Sequence, residues 1–555
     1  MSNRTLLERN LLAITSQDPV LGSRLGKAKP AEYIQFTDSR KGPPVPGIVQ
    51  NNRFFPFHST FDPEKEGARF FAQNRESGFL VFLGLGGGYH ITPFLELKSV
   101  SQILIIEKDI SFVRKVIETL DLRQLLTDRR VRFLIDPTPD EVNQYLISHY
   151  LPAVYGNLST LSLRSRYEKE KKYFSELFKK IREVINILAD DYTVQAYFGK
   201  KWFSNTVANL KAAETTYTQL KPRRKALVTG AGPSLETQID KIKELREKAM
   251  LIATDTSLPA LRHFDILPDI VITIDCQTVT YHHFLSGCPE EVPLVLDLAS
   301  PPVIARLTSK RLFFSSGHPL SQYVTRNWRR FPSIDISGGN VSHAAISLAS
   351  YIGADTIHLF GTDFSYPKGK AYSRGTYIYP FFRSKEHRFS PLEDLFFSFM
   401  LRGSKVVKED TGDFIRYTTK PMISYKKRLE NSIEDIPAQV IPEKGLGLEI
   451  QVKQNLEKDQ RFSSSLFTAG KARSSWRDFL FDYAKHLKSL PEPVQPLPEY
   501  FSRLNPEDQD VWTTIFPTLA VYSRLDNDTS PPVTRLKEAR EWSLEVIARV
   551  LRDYK

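Results

Sequence analysis

Residues 225–236 read KALVTGAGPSLE, from Lys225 to Glu236. Ala226, Leu227 and Val228 form a short apolar run expected to be a buried strand, and Leu235 to Leu245 has the spacing of a helix. Gly230-Ala231-Gly232-Pro233-Ser234 lies between them. Two glycines permit a sharp turn and close backbone approach. Pro233 suits a first helical turn, and Ser234 sets a hydroxyl beside the N–H groups of the helix start. A strand turning through glycines into a helix N-terminus suits an anion, although the same residues also make an ordinary strand-to-helix turn.

The sequence outward from this turn repeats the pattern. Met250 to Ala253 is a second expected strand, ending at Asp255, and Ile270 to Ile274 a third, ending at Asp275. Leu294 to Leu296 ends at Asp297, and Arg311 to Phe314 runs into Ser315-Ser316-Gly317-His318. Thr356 to Phe360 ends at Gly361-Thr362-Asp363. Polar residues at the carboxyl ends of successive strands mark the ligand side of an open α/β sheet. Ser337-Gly338-Gly339-Asn340 opens a second glycine-bearing helix start, suited to a second anionic group.

The N-terminal part carries its own glycine turn. FLVFL at 79–83 leads into Gly84-Leu85-Gly86-Gly87-Gly88, an expected helix over Ile91 to Leu97, and a strand over 103–106 closed by Glu107. This spacing is Rossmann-like, with the acid placed for ribose hydroxyls. It resembles S-adenosylmethionine methyltransferases at that level, and the alternative is a nucleotide fold kept as scaffold. His58, within HSTFDP, reads as a partner that fixes a loop leading into a helix at Pro63.

Four segments follow: a Rossmann-like domain over 1–158, a helical connector over 159–221, a central α/β domain with a mostly parallel sheet over 222–435, and a helical C-terminal domain over 436–555. The connector reads as a helical pair, with helices further on expected at 474–489, 509–522 and 534–553. Beyond Asp363 an aromatic and basic stretch, from Tyr366 through His387 and Arg388, reads either as a lid or acceptor loop or as a solvated loop with buried rings. A hairpin is expected over 405–417, turning at Gly412-Asp413.

Composition bounds the functional classes. The chain has 555 residues, a net charge of +12 and only two cysteines, Cys276 and Cys288. That usage fits a reducing, cytoplasmic setting and excludes a disulfide or Cys-rich zinc framework. No apolar run is long enough to cross a bilayer, so no membrane insertion is expected. Lys and Arg are interleaved with Glu through helical segments, which argues against nucleic acid and suits either an anionic small substrate or simply a solvated surface. The final helix suits packing between domains or between copies of the chain. No zinc-ligand spacing, Walker A sequence or nucleophile elbow is present, while Asp255, Asp275 and Asp363 at strand ends suit a divalent ion, a ribose or a helix cap.

GAGPSLE at 230–236, Pro268-Asp269, Thr273 to Asp275 and SGGNVSHAAISLASYIGADTIHLFGTDFSY at 337–366 resemble the motility-associated-factor glycosyltransferases. Their central domain is shared with archaeal 6-hydroxymethylpterin diphosphokinases and is similar to that of bacterial sialyltransferases. The segment FHSTFDPEKEGARFF at 57–71 extends the likeness towards the N-terminus. The resemblance implies transfer of a nonulosonic acid, of pseudaminic or legionaminic type, from a CMP donor to Ser or Thr of flagellin, without cofactor or metal. It implies an accessory N-terminal half. Gly230 to Ser234 would hold the CMP phosphate, Asp255 the nucleoside, and Ser337 to Asn340 the sugar carboxylate, with Asp275 and Thr362 nearby. Tyr366 and Tyr372, six residues apart as in the sialyltransferases but starting one residue later after Gly361-Thr362-Asp363-Phe364, would donate to the leaving phosphate. His387 is the candidate base and His318 its rival. The alternatives are a magnesium-dependent diphosphokinase using ATP and a non-catalytic flagellin chaperone.

Overall fold

A computed structural model describes residues 5–215, 220–403, 405–454, 467–523 and 531–553. The chain divides into two compact units, one of residues 1–197, 491–509 and 519–538, the other of 198–490, 510–518 and 539–555.

The first unit is built on a four-stranded parallel sheet in the order Val131–Ile135, Val100–Glu107, Gly78–Leu83, Leu158–Ser162. Alternation along Gly78–Leu83 sends Leu80 and Phe82 to one buried layer and Phe79, Val81 and Leu83 to the other. Both faces are covered, which is why the strand reads as an unbroken apolar run. Helix Lys171–Glu214 supplies Phe174, Leu177, Ile181 and Val184 to the second layer, the stripe expected from its three-and-four spacing.

Several elements differ from the sequence expectation. Leu158–Ser162 is a sheet strand, not part of a helical connector. The expected helical pair is one helix of 44 residues. The helix foreseen over Ile91 to Leu97 shrinks to a 3-10 turn at Thr92–Glu96, where Pro93 removes a helical donor. The helix expected over 509–522 is broken into Pro506–Thr513 and Phe516–Ser523, with Pro517 just past the break. Leu497–Arg503 is an added helix that uses Pro498 in its first turn. The C-terminal helices are shared between the two units and do not form a separate domain. Among the described residues no helix is long and apolar enough to cross a membrane.

The second unit centres on a seven-stranded parallel sheet. Its order is Arg311–Phe314, Leu294–Asp297, Ile270–Thr273, Met250–Thr254, Lys225–Thr229, Thr356–Phe360, Gln439–Pro442. The last strand lies beyond residue 435, so the sheet outruns the expected domain boundary. The strand order reverses between Lys225–Thr229 and Thr356–Phe360, and in open α/β sheets the carboxyl ends of the strands at such a reversal are where ligands bind. Residues 366–419 form a small subdomain on this unit. It has a three-stranded sheet, including the expected hairpin as Val406–Asp410 and Ile415–Thr419, and two helices, Ile378–Arg383 and Leu392–Leu401. Ala371, Ile378, Phe382 and Phe396 form its core, so the aromatic stretch is folded around its own rings.

Candidate functional site

The turn after Lys225–Thr229 is tied to the turn after Thr356–Phe360. Gly230 N–H donates to the Phe360 carbonyl and Gly232 N–H to the Gly361 carbonyl, each at 2.8 Å. A Cβ on Gly232 would lie 2.6 Å from Asp363 Oδ2 and 2.7 Å from the Gly361 carbonyl, so this close approach requires glycine. Ser373 N–H donates to the Ala231 carbonyl, and the starting Ser342 of the second helix lies beside Gly230.

The anion at this helix N-terminus is one of the chain's own. Asp363 Oδ2 accepts the Ser234 N–H at 2.8 Å, and Ser234 Oγ accepts the Leu446 N–H at 2.6 Å. Burial raises the Asp363 carboxyl above its ordinary range, and the bonds from Ser234 oppose that. Pro233 lies in the turn before the helix, which starts at Leu235. At the expected phosphate cradle of Gly230 to Ser234, the Ser234 N–H is therefore already taken by Asp363. Thr362 is half-buried beside it.

Ser337 to Asn340 is similarly engaged. Ser337 N–H and Oγ donate to Asp335, Gly338 N–H donates to His343 Nδ1, and Asn340 caps the helix by accepting the His343 N–H at 3.0 Å. Gly339 has φ +72°, a left-handed conformation suited to glycine.

The open chemistry lies at the ends of Met250–Thr254 and Ile270–Thr273. Asp255 is buried; its Oδ2 accepts Thr273 Oγ1 at 2.6 Å, and its Oδ1 accepts Thr256 N–H at 2.6 Å and Oγ1 at 3.0 Å. Asp275 accepts the Gln277 N–H at 2.9 Å, and burial, with the Asp255 charge adding to it, raises its carboxyl above the usual range. His283 completes the group, with Nε2 at 3.4 Å from Thr256 Oγ1 and its ring 4.9 Å from that of Tyr377. Its buried Nδ1 has no hydrogen-bond partner among the described residues. Burial lowers the imidazole pKa below 6.5 against the pull of Asp255 and Asp275, so the ring is neutral near pH 7.

The tyrosines approach from the subdomain. Burial pushes Tyr372 up to about 12, and the neighbouring charges that act on it include Tyr377, Tyr366, Arg402 and Asp255. Tyr366 pairs with Tyr417 at the edge of the small sheet and packs in the same core as Tyr372. Arg402 lies over the Phe399 ring at 3.5 Å, and its charge reaches Tyr366, Tyr372 and Tyr377.

Neither expected base joins this group. His387 is exposed in a tight turn, where its Nδ1 accepts the Phe389 N–H. His318 stacks on Trp202 at 4.0 Å and faces Asp297 Oδ2 at 3.6 Å. Tyr377 belongs to the aromatic stretch expected as a lid or acceptor loop, whereas His283 and Arg402 carry no expected role; the His282-His283 pair shortly after the Asp275 strand end is the local signal for His283. Among the described residues no three His, Cys, Asp or Glu side chains gather as for a metal ion.

In the first unit the ribose-facing role expected of Glu107 is displaced. Its carboxylate is fully buried and takes Arg166 at 2.7 Å, and Oε2 also accepts the Leu85 N–H at 3.0 Å. His58 Nε2 accepts the Gly87 N–H at 2.9 Å, so the glycine turn is filled by the chain's own side chains.

Residues 57–218 match the model of the Maf glycosyltransferase N-terminal domain, and residues 200–369 that of 6-hydroxymethylpterin diphosphokinase MptE-like proteins. Two Treponema pallidum (strain Nichols) proteins, described only as uncharacterized, are similar. One is 32% identical over 169 residues, 29% of this chain and 79% of the relative. The other is 36% identical over 152 residues, 27% of this chain and 54% of the relative. The chain thus spans only about half the length of the second. The solved Maf glycosyltransferase from Magnetospirillum magneticum AMB-1 superposes with a TM-score of 0.61 at 17% identity, covering 99% of this chain and 95% of that one. At that identity the likeness is one of fold. With the two family models in tandem along a chain of this fold, the protein belongs to the Maf glycosyltransferase family.

Proposed function

We propose that the chain transfers a nonulosonic acid from a CMP donor to Ser or Thr hydroxyls of flagellin, in support of flagellum assembly and motility. The observation that carries this reading is the grouping of Asp255, Asp275 and His283 with Tyr372 and Tyr377 at the carboxyl ends of the sheet. The acceptor oxygen forms a bond to the anomeric carbon as the bond to the CMP phosphate breaks. The hydroxyl proton passes to a base, for which the neutral His283 imidazole and the Asp275 carboxylate are the candidates. Tyr372 donates a hydrogen bond to the departing phosphate, and Arg402 offsets its charge. Asp255 accepts from nucleoside hydroxyl or amino groups.

A second reading, magnesium-dependent pyrophosphoryl transfer from ATP, has support in the diphosphokinase-like match over residues 200–369, which includes both carboxylates. Calorimetric titration separates the two. We expect binding of CMP without added metal, and Tyr372→Phe to slow transfer about 100-fold while leaving CMP affinity nearly unchanged. Tight binding of ATP with magnesium, and none of CMP, would replace the first reading by the second.

A further inference from the structure

The subdomain of residues 366–419 encloses a cleft of about 1180 Å³ that the reaction above does not use. Four cations line it: Lys368, Lys370, Arg374 and Arg383. Glu236 pairs with Lys370 and Arg374 at 3.4 and 3.7 Å. No carboxylate lies within ion-pair distance of Lys368 or Arg383 among the described residues. The rest of the wall includes the rings of Tyr379, Phe396, Phe414 and Tyr417 beside a Phe397 that is 44% exposed, and a single carboxylate, Glu393, so cations outnumber acids four to one. Exposed rings of this kind on an otherwise charged surface mark a binding site. The volume exceeds the roughly 300–1000 Å³ of small-molecule sites, and the combination of cations and rings fits a chain carrying both carboxylates and aromatic groups.

One short segment separates this cleft from the reactive groups. Arg374, Gly375, Tyr379 and Arg383 face the cleft, while Tyr377 packs on His283 at 4.9 Å. Tyr379 Oη donates to the Tyr372 carbonyl at 3.1 Å, which fixes the two sides of the segment to each other. We propose that the cleft docks an acidic, aromatic-bearing stretch of the acceptor polypeptide and so delivers a neighbouring hydroxyl to the Asp255–His283 group. This rests on the reading that the acceptor is a protein.

Fluorescence anisotropy on the full chain tests it with three labelled probes: a short peptide repeating Glu-Phe-Ser-Gly, the same peptide with Lys for Glu, and oligothymidine. We expect the acidic peptide to bind, the basic one not to, and the paired change Lys368→Glu and Arg383→Glu to weaken binding about tenfold or more. Binding of the acidic peptide should also fall with added salt. The milder pair Lys368→Gln and Arg383→Gln should weaken it in the same direction, which guards against misfolding of the reversal. CMP titration of each variant should match wild type. Equal peptide affinity in wild type and both variants, no preference for the acidic peptide, or tighter binding of oligothymidine would overturn the assignment. Peptide binding that the variants weaken in a chain that ignores CMP would leave the cleft assigned and remove the donor reading. CMP binding in a chain indifferent to all three probes would do the reverse.

Discussion

Glu107→Gln is the substitution that best separates a buried structural carboxylate from a ligand-binding one. Both Glu107 oxygens are committed: Arg166 Nη2 donates at 2.7 Å and Nε at 3.1 Å to Oε1, the Lys108 N–H adds a bond at 2.8 Å, and the Leu85 N–H reaches Oε2 at 3.0 Å. The side chains of Glu107 and Arg166 are 0% and 3% exposed, so water cannot replace what is lost. Phe57, Phe112 and Phe174 surround the guanidinium at 5.2 to 5.8 Å. Gln keeps the shape but removes the charge and turns an amide donor towards other donors. Breaking a buried pair from one side costs about 3–5 kcal/mol. In a unit of this size each kcal/mol moves the melting temperature by roughly 2–4 °C, so a fall of about 6–20 °C is expected by differential scanning calorimetry. The pair Glu107→Gln with Arg166→Met should lose less than the two single changes added together, because it leaves no charge stranded. A Glu107→Gln melting temperature within about 1 °C of wild type, or a clear rise in wild type on adding S-adenosylmethionine, would refute the reasoning.

Further substitutions probe each of the two units. Gly232→Val drives a side chain into Asp363 and the Gly361 carbonyl, and urea denaturation should show a loss of about 1–3 kcal/mol, while Gly403→Ala, with open space around it, should change little. His90 is buried among Phe70, Phe82 and His58, and burial holds its pKa well below 6.5. The unfolded chain therefore binds a proton that the folded one refuses, so the contribution is whole above about pH 6.5 and drains as pH falls towards the lowered value. His90→Phe should flatten the acid-side loss by up to about 1.4 kcal/mol per pH unit; an unchanged slope would assign the loss to other groups.

What the sequence made legible follows from where side chains act locally. Helix Leu235–Leu245 and strands Arg311–Phe314 and Thr356–Phe360 have the expected bounds, because period and turn residues are read from neighbours in the chain. The long-range pairings were not legible. Glycine spacing marked an anion site at Ser234, but nothing in GAGPSLE says that Asp363, 129 positions away, supplies the anion. Glu107 stands where a ribose acceptor belongs, and only the fold brings Arg166 to it. His283 was missed for the converse reason. It lies in a 3-10 segment, Thr278–Phe284, without helical or strand period, and its meaning comes from Asp255, Thr256 and Tyr377, which the fold gathers from separate elements.

The division of the chain into interleaved segments bears on its synthesis. The first unit includes residues 491–509 and 519–538, which leave the ribosome nearly three hundred residues after residue 197. At roughly 5–20 residues per second that interval is about 15 to 60 seconds. Through it the nascent Rossmann-like part waits without its last helices, and the second unit also gains residues 510–518 and 539–555 only at the end. Emergence of residues 491–555, more than that of either sheet, then sets the moment at which both units can close.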